Sequence, residues 1–376
     1  MTSFFEKFRR VTASTSYLPE IDGLRFLAVF WVAIIMHTTH YLDEKFYTNQ
    51  LIKEGPWKWV VLEGTHGMFL FFMISGFILS LPFARAYLKG DEPVNLKRYY
   101  LRRLTRLEPP YIIALLLFFL AHVFIVKKYA LSQLVPSLFA SLIYSHDLIY
   151  GYHSIVLPVA WSLEIEVQFY ILAPLFCLLF KIKTVWLRRL IFLLVMLGGS
   201  YYFLYAVPRL DNVVRFMHYF FAGLLLADLY VMKEGKSKGS VGGYFIGIVA
   251  LVALLSIPSY YRFPMLLMKL LLLFVAFYQV LFNQQLKAIF SVRGITLIGG
   301  MCYSIYLLHF GIISGFGTLL LSQSKSFDYN HALLYLIALT GLILLISAAY
   351  FYYVEKPFMK FKLKRLEQKS KEKALI

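Results

Sequence analysis

Two histidines and an arginine lie in an otherwise apolar run near the amino end of the chain. Between Leu24 and Met36 the only charged residue is Arg25, and His37 follows directly. Such a run predicts a membrane-spanning helix in which His37 lies roughly 18 Å further along the axis than Arg25. An imidazole exchanges protons near neutral pH, and ionisable groups in a membrane are costly, so His37 is a candidate general base. The alternative is a histidine that caps the helix at the water interface, which fits His40 better.

Two carboxylates lie in a second apolar stretch, WSLEIEVQFY. Glu164 and Glu166 are about 200° apart around a helix, so they cannot share one face. One would face a cavity while the other meets headgroups or a loop, unless both are interfacial. A third apolar stretch, CYSIYLLHF, holds His309, which is either a core histidine or a further member of the same site.

A basic segment, NLKRYYLRRLTRLEPPY, precedes another apolar run and contains Arg102, Arg103 and Arg106. Arginine side chains bind phosphate oxygens bidentately, and a multiply phosphorylated ligand needs several of them together. The alternative is the ordinary excess of positive charge in cytoplasmic loops. The pair Pro109–Pro110 predicts a break after this cluster.

Ser75 is a weaker candidate for a site residue. It precedes Gly76 in HGMFLFFMISGFI, where small residues more often serve close helix packing than nucleophilic catalysis. No serine lies in a G-x-S-x-G elbow. The two cysteines, Cys177 and Cys302, lie in apolar runs without metal-ligand spacing, so we expect no metal site.

The composition places most of the chain in a membrane. Of the 376 residues, 60% are hydrophobic and 15% are charged, whereas soluble domains carry about 25% charged residues. The net charge of +18 falls mainly in loops that flank apolar runs, which indicates membrane topology rather than nucleic-acid binding.

The apolar runs predict an all-α, polytopic helical bundle of about ten transmembrane helices in contact with the lipid bilayer. The run 131–145 is shorter and predicts a re-entrant or interfacial helix. Most of the 38 Lys and Arg residues lie at the amino end, in alternate loops and in the tail, so both termini should be cytoplasmic. The domain boundaries that follow are an amino-terminal segment 1–20, a membrane domain 21–355 and a basic cytoplasmic tail 356–376. The predicted spans are about 22–41, 60–82, 109–127, 160–181, 186–207, 214–232, 242–258, 264–282, 296–321 and 331–354.

This topology brings ionisable groups from three spans to a similar depth. His37, the two glutamates of WSLEIEVQFY and His309 all fall in the outer half of the membrane. The arginine cluster lies at the cytoplasmic edge. Because these groups lie at one depth, a shared site is favoured over three unrelated residues at the membrane interface.

Six motifs occur in order across nearly the whole chain: IDGLR followed by a histidine, FFMISGFI, RYYLRRLTRLEPPY, WSLEIEVQFY, YSIYLLH and VEKPF. Together they resemble the acyltransferase-3 family of bacterial membrane O-acyltransferases. The resemblance implies a multi-pass protein of the bacterial cytoplasmic (inner) membrane, without a permanently bound cofactor. It implies transfer of an acyl group, usually acetyl from acetyl-CoA, to a hydroxyl of an extracytoplasmic carbohydrate or related molecule. It maps the family's functional positions onto Arg25, His37, Glu166, Arg103 and Arg106.

The chain departs from the family pattern in three ways. Eleven residues separate Arg25 from His37, where ten are usual, which turns His37 by about 100° unless a one-residue bulge absorbs the change. The fourth-span motif often has two adjacent acids, whereas Val167 follows Glu166 here, and Glu164 replaces a small residue. Many relatives carry a fused extracytoplasmic esterase-like domain, which is absent from this sequence. Direct delivery of the acyl group, or hand-over to a separate periplasmic or glycan-assembly protein, is therefore expected.

These observations combine into one mechanistic hypothesis. Arg102, Arg103 and Arg106 hold the phosphates of acyl-CoA, His37 acts as general base on the acceptor hydroxyl, and Glu166 or a neighbour orients the imidazole. Arg25 either binds donor phosphate or neutralises Asp22. The alternative is a proton-coupled transporter or exporter of a glycan or small molecule, which uses the same ionisable groups as a relay.

Overall fold

The structure is a computed structural model, all-helical in the residues that it describes. Most of the expected segment 1–20 and of the tail 356–376 lie outside the described residues. Those residues are 8, 17–46, 58–206, 210–233, 240–256, 262–321 and 329–359.

The chain is a succession of long helices joined by short connections. Three π-helical segments cover Phe30–Met36, His122–Val126 and Phe351–Glu355, and each continues the α-helix that precedes it in the chain. Short 3-10 turns cover Pro158–Ala160 and Cys177–Lys181. The α-helices are α1 (Pro19–Val29), α2 (His37–Phe46), α3 (Lys58–Leu62), α4 (Thr65–Lys89), α5 (Leu96–Ala121), α6 (Leu131–Leu142), α7 (His146–Tyr150), α8 (Trp161–Phe176), α9 (Val185–Tyr205), α10 (Met217–Lys233), α11 (Val241–Ser256), α12 (Phe263–Phe282), α13 (Gln284–Phe290), α14 (Arg293–Gly300), α15 (Cys302–Leu321) and α16 (Tyr329–Tyr350).

Within the described residues, eight helical stretches are long and apolar enough to cross a membrane. They correspond to eight of the ten predicted spans. The other two predicted spans fold as α10 and α11, helices of 17 and 16 residues. The expected short helix in 131–145 is α6, with 12 residues. The protein is a multi-pass membrane protein by helix length and composition, and the count of ten spans stays a prediction.

The prediction of a break at Pro109–Pro110 is wrong, because both prolines lie inside α5. Side chains of neighbouring helices satisfy backbone groups near prolines in membrane helices. Here Tyr303 donates to the carbonyl oxygen of Leu107 at 2.9 Å, and Tyr350 donates to that of Pro110 at 2.5 Å. The arginine cluster therefore lies on the same continuous helix as the third span.

The predicted ninth span, 296–321, consists of two helices that separate at Met301. The first of them, α14, crosses α1 with backbone against backbone. A Cβ atom at Gly299 would lie 1.7 Å from the carbonyl oxygen of Asp22, so only glycine permits this approach. The crossing holds the start of α15 against the first span.

The aromatic core forms around α4 and α10, which also meet backbone to backbone. A Cβ atom at Gly76 would lie 2.2 Å from the Phe220 carbonyl oxygen, and one at Gly223 would lie 2.3 Å from that of Met73. Neither position admits a larger side chain. The packing role expected of the small residues holds for Gly76, whereas Ser75 faces a cavity.

Candidate active site

A cavity of about 410 Å³ lies inside the bundle, lined by α1, α2, α4, α5, α8 and α15 and by the loop before α8. Arg102 and Glu164, two of the nine candidate residues from the sequence, do not line it. The cavity brings together the other seven, which are Arg25, His37, Ser75, Arg103, Arg106, Glu166 and His309.

His37 and His309 form a pair in the wall of this cavity. Nδ1 of His37 lies 2.8 Å from Nε2 of His309, and the rings are nearly parallel with centroids 5.1 Å apart. His309 is fully buried and His37 is half-buried. Of the two interpretations of His309 that the sequence left open, the structure supports membership of the site.

The backbone around His309 determines the tautomers of the pair. Nδ1 of His309 lies 2.8 Å from the Tyr306 carbonyl oxygen and 3.2 Å from that of Ile305, and only an N–H can donate to a carbonyl. In the neutral ring Nε2 is then the acceptor, so His37 donates its Nδ1–H to His309. This arrangement leaves the lone pair on Nε2 of His37, which is the atom that a general base needs.

The first span reaches His37 through the π-helix Phe30–Met36. A π turn contains one residue more than an α turn, and it absorbs the extra residue between Arg25 and His37. Both side chains consequently line the same cavity. The one-residue bulge that we considered from the spacing is confirmed. His40 is exposed and does not line the cavity. It lies inside α2 rather than at the helix end that the sequence predicted for it.

Arg25 is paired within its own helix. Its guanidinium donates to Asp22 at 2.6 Å, and the carboxylate also accepts from the hydroxyl of Tyr17 at 2.9 Å. The predicted neutralisation of Asp22 is therefore present. Because the Arg25 side chain also lines the cavity, contact with a bound phosphate stays a proposal.

Glu166 faces the cavity and bonds to groups other than His37. Its carboxylate accepts short hydrogen bonds from the hydroxyls of Ser75 and Tyr170. The side chain that contacts His37 is His309, and the orienting role that the sequence hypothesis gave to Glu166 or a neighbour stays a prediction. Sequence spacing alone could not choose between them, since both lie at a similar depth.

Arg103 and Arg106 lie one turn apart at the end of the cavity near Tyr170. In the described part of the chain, Nε of each arginine is buried without a hydrogen-bond partner. The Arg103 guanidinium lies 5.9 Å from the ring centre of Tyr99 and 5.8 Å from that of Tyr170. Since cations without a counter-ion are costly to bury, this arrangement suits an anionic ligand.

Arg102 is exposed and points away from the cavity. Consecutive residues on a helix differ by about 100° in direction, so Arg102 cannot share the inward face of Arg103. The sequence hypothesis grouped the three arginines because they cluster in the segment before the predicted third span.

Glu164 is buried and supports a loop. Its carboxylate accepts the backbone N–H of Asp147 at 3.1 Å. The prediction that one glutamate faces a cavity while the other meets a loop is confirmed.

Two hydroxyls from α8 and α15 form a contact that sequence reasoning missed. Tyr306 donates to the Val159 carbonyl oxygen, so the hydroxyl of Ser162, 2.8 Å away, donates to Tyr306. Tyr306 lies one turn before His309, and this helical spacing could have indicated it.

Thr65 was also missed, and the sequence gives no periodic signal for it. It begins α4 and lines the cavity beside Met36, the neighbour of His37. Its hydroxyl contacts the Met36 sulfur at 3.6 Å, and a thioether is a weak acceptor. The hydroxyl therefore has little to lose by donating to a substrate oxygen.

The wall formed by α8 gives the cavity its direction. Trp161 and Tyr170 line opposite ends of this wall, about 13.5 Å apart at 1.5 Å per residue, with Glu166 between them. Arg103 lies over Tyr170, whereas His153 stacks on Trp161 with ring centroids 5.2 Å apart. One end of the cavity is thus cationic and the other carries histidine.

Comparison with known families identifies the class of protein that this fold and site define. Residues 18–352 match the acyltransferase-3 family model, which is described as an acyltransferase domain. The chain belongs to the acyltransferase-3 family, and the resemblance drawn from the six motifs is confirmed.

The relatives with curated names are O-acetyltransferases. A putative O-acetyltransferase of Staphylococcus aureus is 26% identical over 343 residues, which cover 83% of this chain and 53% of the relative. The peptidoglycan O-acetyltransferase OatA of Listeria monocytogenes is also 26% identical over 343 residues, covering 81% of this chain and 51% of that protein. This chain therefore spans about half the length of the curated relatives it matches. No solved structure is significantly similar to it.

Proposed function

We propose that the protein is a membrane O-acetyltransferase that moves acetyl from cytoplasmic acetyl-CoA to a hydroxyl of an extracytoplasmic glycan. The observation that carries the proposal is the polarity of the cavity. Among the described residues, Nε of Arg103 and Nε of Arg106 have no hydrogen-bond partner at one end. Towards the other end, the His37–His309 pair leaves Nε2 of His37 without a partner in the same residues. Peptidoglycan is the acceptor in the name of the Listeria relative, and a surface glycan of this kind is the acceptor class that we propose here.

The donor end would bind the phosphates of coenzyme A. Arg103 and Arg106 supply guanidinium groups without carboxylate partners in the described residues, and phosphate oxygens accept from such groups bidentately. The pantetheine arm would then follow α8 past Glu166. This placement puts the thioester between Glu166 and His37.

The transfer step uses His37 as the base. Nε2 of His37 takes the proton of the acceptor hydroxyl while the hydroxyl oxygen attacks the thioester carbonyl carbon. The C–S bond of the resulting tetrahedral intermediate breaks, and the departing sulfur receives the proton from His37. His309 accepts the Nδ1–H of His37 throughout and keeps the ring in the productive orientation.

The hydroxyl of Thr65 is the donor that we assign to the oxygen of the tetrahedral intermediate. It lies beside His37 in the cavity wall and exchanges a weak sulfur contact for a negatively charged oxygen. Donors that strengthen only as charge develops contribute to rate rather than to substrate binding.

The second candidate, a proton-coupled transporter, is favoured by the His37–His309 pair alone and leaves Arg103 and Arg106 without a ligand. The two functions separate in one assay. Membranes that contain the protein, acetyl-CoA and glycan from a strain lacking the protein should release free CoA thiol and place alkali-labile acetate on the glycan. Uptake or export of glycan without thiol release would favour the transporter and contradict the proposal.

A further inference from the structure

His153 lies where the cavity opens, in the loop between α7 and α8. It lines the cavity, yet 46% of its side chain remains exposed, so it borders both the cavity and the surroundings. Because it stacks on Trp161, it lies at the end of the α8 wall opposite to Arg103. An acceptor that enters from the side away from the arginines would meet His153 first.

The imidazole of His153 is held in place by two contacts. Nδ1 donates to the carboxylate of Asp147 at 2.7 Å, and the ring stacks on Trp161 at an interplanar angle of 13°. Asp147 is itself buried, and its backbone N–H donates to Glu164. Nε2 of His153 has no hydrogen-bond partner in the described residues, so it is the ring nitrogen that remains for a ligand.

A buried polar network fixes the loop that carries these residues. The hydroxyl of Ser137 lies 2.9 Å from Nε2 of His146, and the hydroxyl of Ser141 donates to that of Ser154 at 2.8 Å. Tyr111 of α5 donates to the Ser141 carbonyl oxygen at 3.0 Å. Satisfied buried networks of this kind select one loop conformation. The loop therefore presents His153 from a rigid support.

The charges that face His153 favour its protonated form. Its hydrogen bond to Asp147, opposed by partial burial, raises the pKa of His153 above the usual value. Asp211 and Glu164 lie near enough to act in the same direction, and Arg215 pairs with Asp211 at 3.2 Å. With acidic groups on this rim, the ligand at Nε2 should be a neutral oxygen rather than an anion.

We propose that His153 is an acceptor-binding residue, whose Nε2–H donates a charged hydrogen bond to a hydroxyl or amide oxygen of the sugar being acetylated. The inference rests on the proposed function and names the group that receives the acceptor. Asp147 is then a positioning residue, since it acts only through His153.

The first test is His153→Gln in membranes, with glycan from a strain lacking the protein as acceptor, titrated by mass. Loss of a hydrogen bond to a charged group predicts a ten- to hundredfold rise in the glycan concentration for half-maximal rate, with acetyl-CoA affinity unchanged. The matched control is His122→Gln, because His122 is half-buried and lies outside the cavity. An unchanged half-saturation, or a fall in maximal rate alone, would overturn the proposal.

Asp147→Asn supplies a second test that does not remove the imidazole. A raised pKa keeps His153 protonated to higher pH, so losing Asp147 should move the pH at which glycan binding weakens to a lower value. Superimposable pH profiles for wild type and Asp147→Asn would overturn the proposal. Failure of the proposed function is distinguishable, since wild-type membranes would then transfer no acetyl to glycan.

Discussion

The ionisable side chains at the two ends of the cavity differ in whether their nitrogen atoms have hydrogen-bond partners. Towards the histidine end, the ring nitrogens of His37 and His309 are accounted for by each other and by backbone carbonyls, except Nε2 of His37. At the arginine end, Arg103 packs against the rings of Tyr99 and Tyr170, and the Nε atoms of Arg103 and Arg106 are unpaired in the described residues. One end is already arranged for proton transfer, and the other becomes electrostatically complete when an anion binds.

Several other arginines in the described residues pair with carboxylates. Arg188 and Arg189 share the carboxylate of Asp228, with N–O distances of 2.6 and 2.7 Å. Arg25 likewise pairs with Asp22. For Arg103 and Arg106 the described residues supply no carboxylate partner, and this arrangement suits an anionic ligand.

The arginine end of the cavity should face the cytoplasm and the histidine end the outside. Cysteine labelling from each side of the membrane tests this topology, and the expected effect is all-or-none. Cysteine at Lys89 should react with an impermeant maleimide only from the cytoplasm, and cysteine at Lys128 only from outside. Both positions are exposed, and the two native cysteines are buried. Labelling of position 89 from outside would contradict the topology. Lys362, which the same topology places in the cytoplasm, lies outside the described residues.

The largest effect on rate is expected from the base. His37→Ala should reduce acetyl transfer about 10²- to 10⁴-fold, the usual contribution of general base catalysis. His40→Ala is the matched control, because His40 is exposed one turn further along the helix and should keep a substantial fraction of activity. Acetate on isolated glycan, with membrane abundance measured in parallel, checks both. An active His37→Ala together with an inactive His40→Ala would show that the base is His40, one turn further along the helix.

His309→Phe should have a smaller effect, about five- to hundredfold on maximal rate, because it leaves the Nδ1–H of His37 without its acceptor. Acetyl-CoA affinity should be unchanged, since His309 lies away from the arginine end. The ratio of maximal rates in the glycan assay measures the loss. A loss of acetyl-CoA affinity instead would indicate that His309 acts at the arginine end of the cavity, which would contradict the prediction.

The arginine end should respond in affinity rather than in rate. Arg103→Ala and Arg106→Ala should each weaken acetyl-CoA binding about ten- to hundredfold, the cost of one charged hydrogen bond of roughly 1.5–3 kcal/mol. Arg102→Ala is the control, since Arg102 carries the same charge but faces outward. Titration of acetyl-CoA against membranes checks this prediction. Wild-type affinity in the double variant would leave the two arginines as topology signals only.

The sequence predicted those features that depend on one helix at a time. Apolar runs located the spans, and the 200° separation of Glu164 and Glu166 correctly divided them between loop and cavity. It failed where the answer depends on how two helices are rotated against each other, as in the contact of His37 with His309 rather than with Glu166. It also did not separate Arg102 from the two arginines that line the cavity, because it predicted a break at prolines that lie inside α5. Thr65 lies at a helix start, where hydrophobic periodicity carries no signal.

The π-helix in the first span has a consequence for how such proteins change over time. Inserting one residue into a regular helix turns every later side chain by about 100°. Here the rotation caused by the extra residue is absorbed within the π-helix Phe30–Met36. Beyond it, the hydroxyl of Tyr41 still lies 2.8 Å from the hydroxyl of Thr318 in α15. In this chain the π-helix keeps His37 directed into the cavity despite the extra residue between it and Arg25. A genome search with a fixed spacing would miss this chain, whereas one that follows helical phase would retain it.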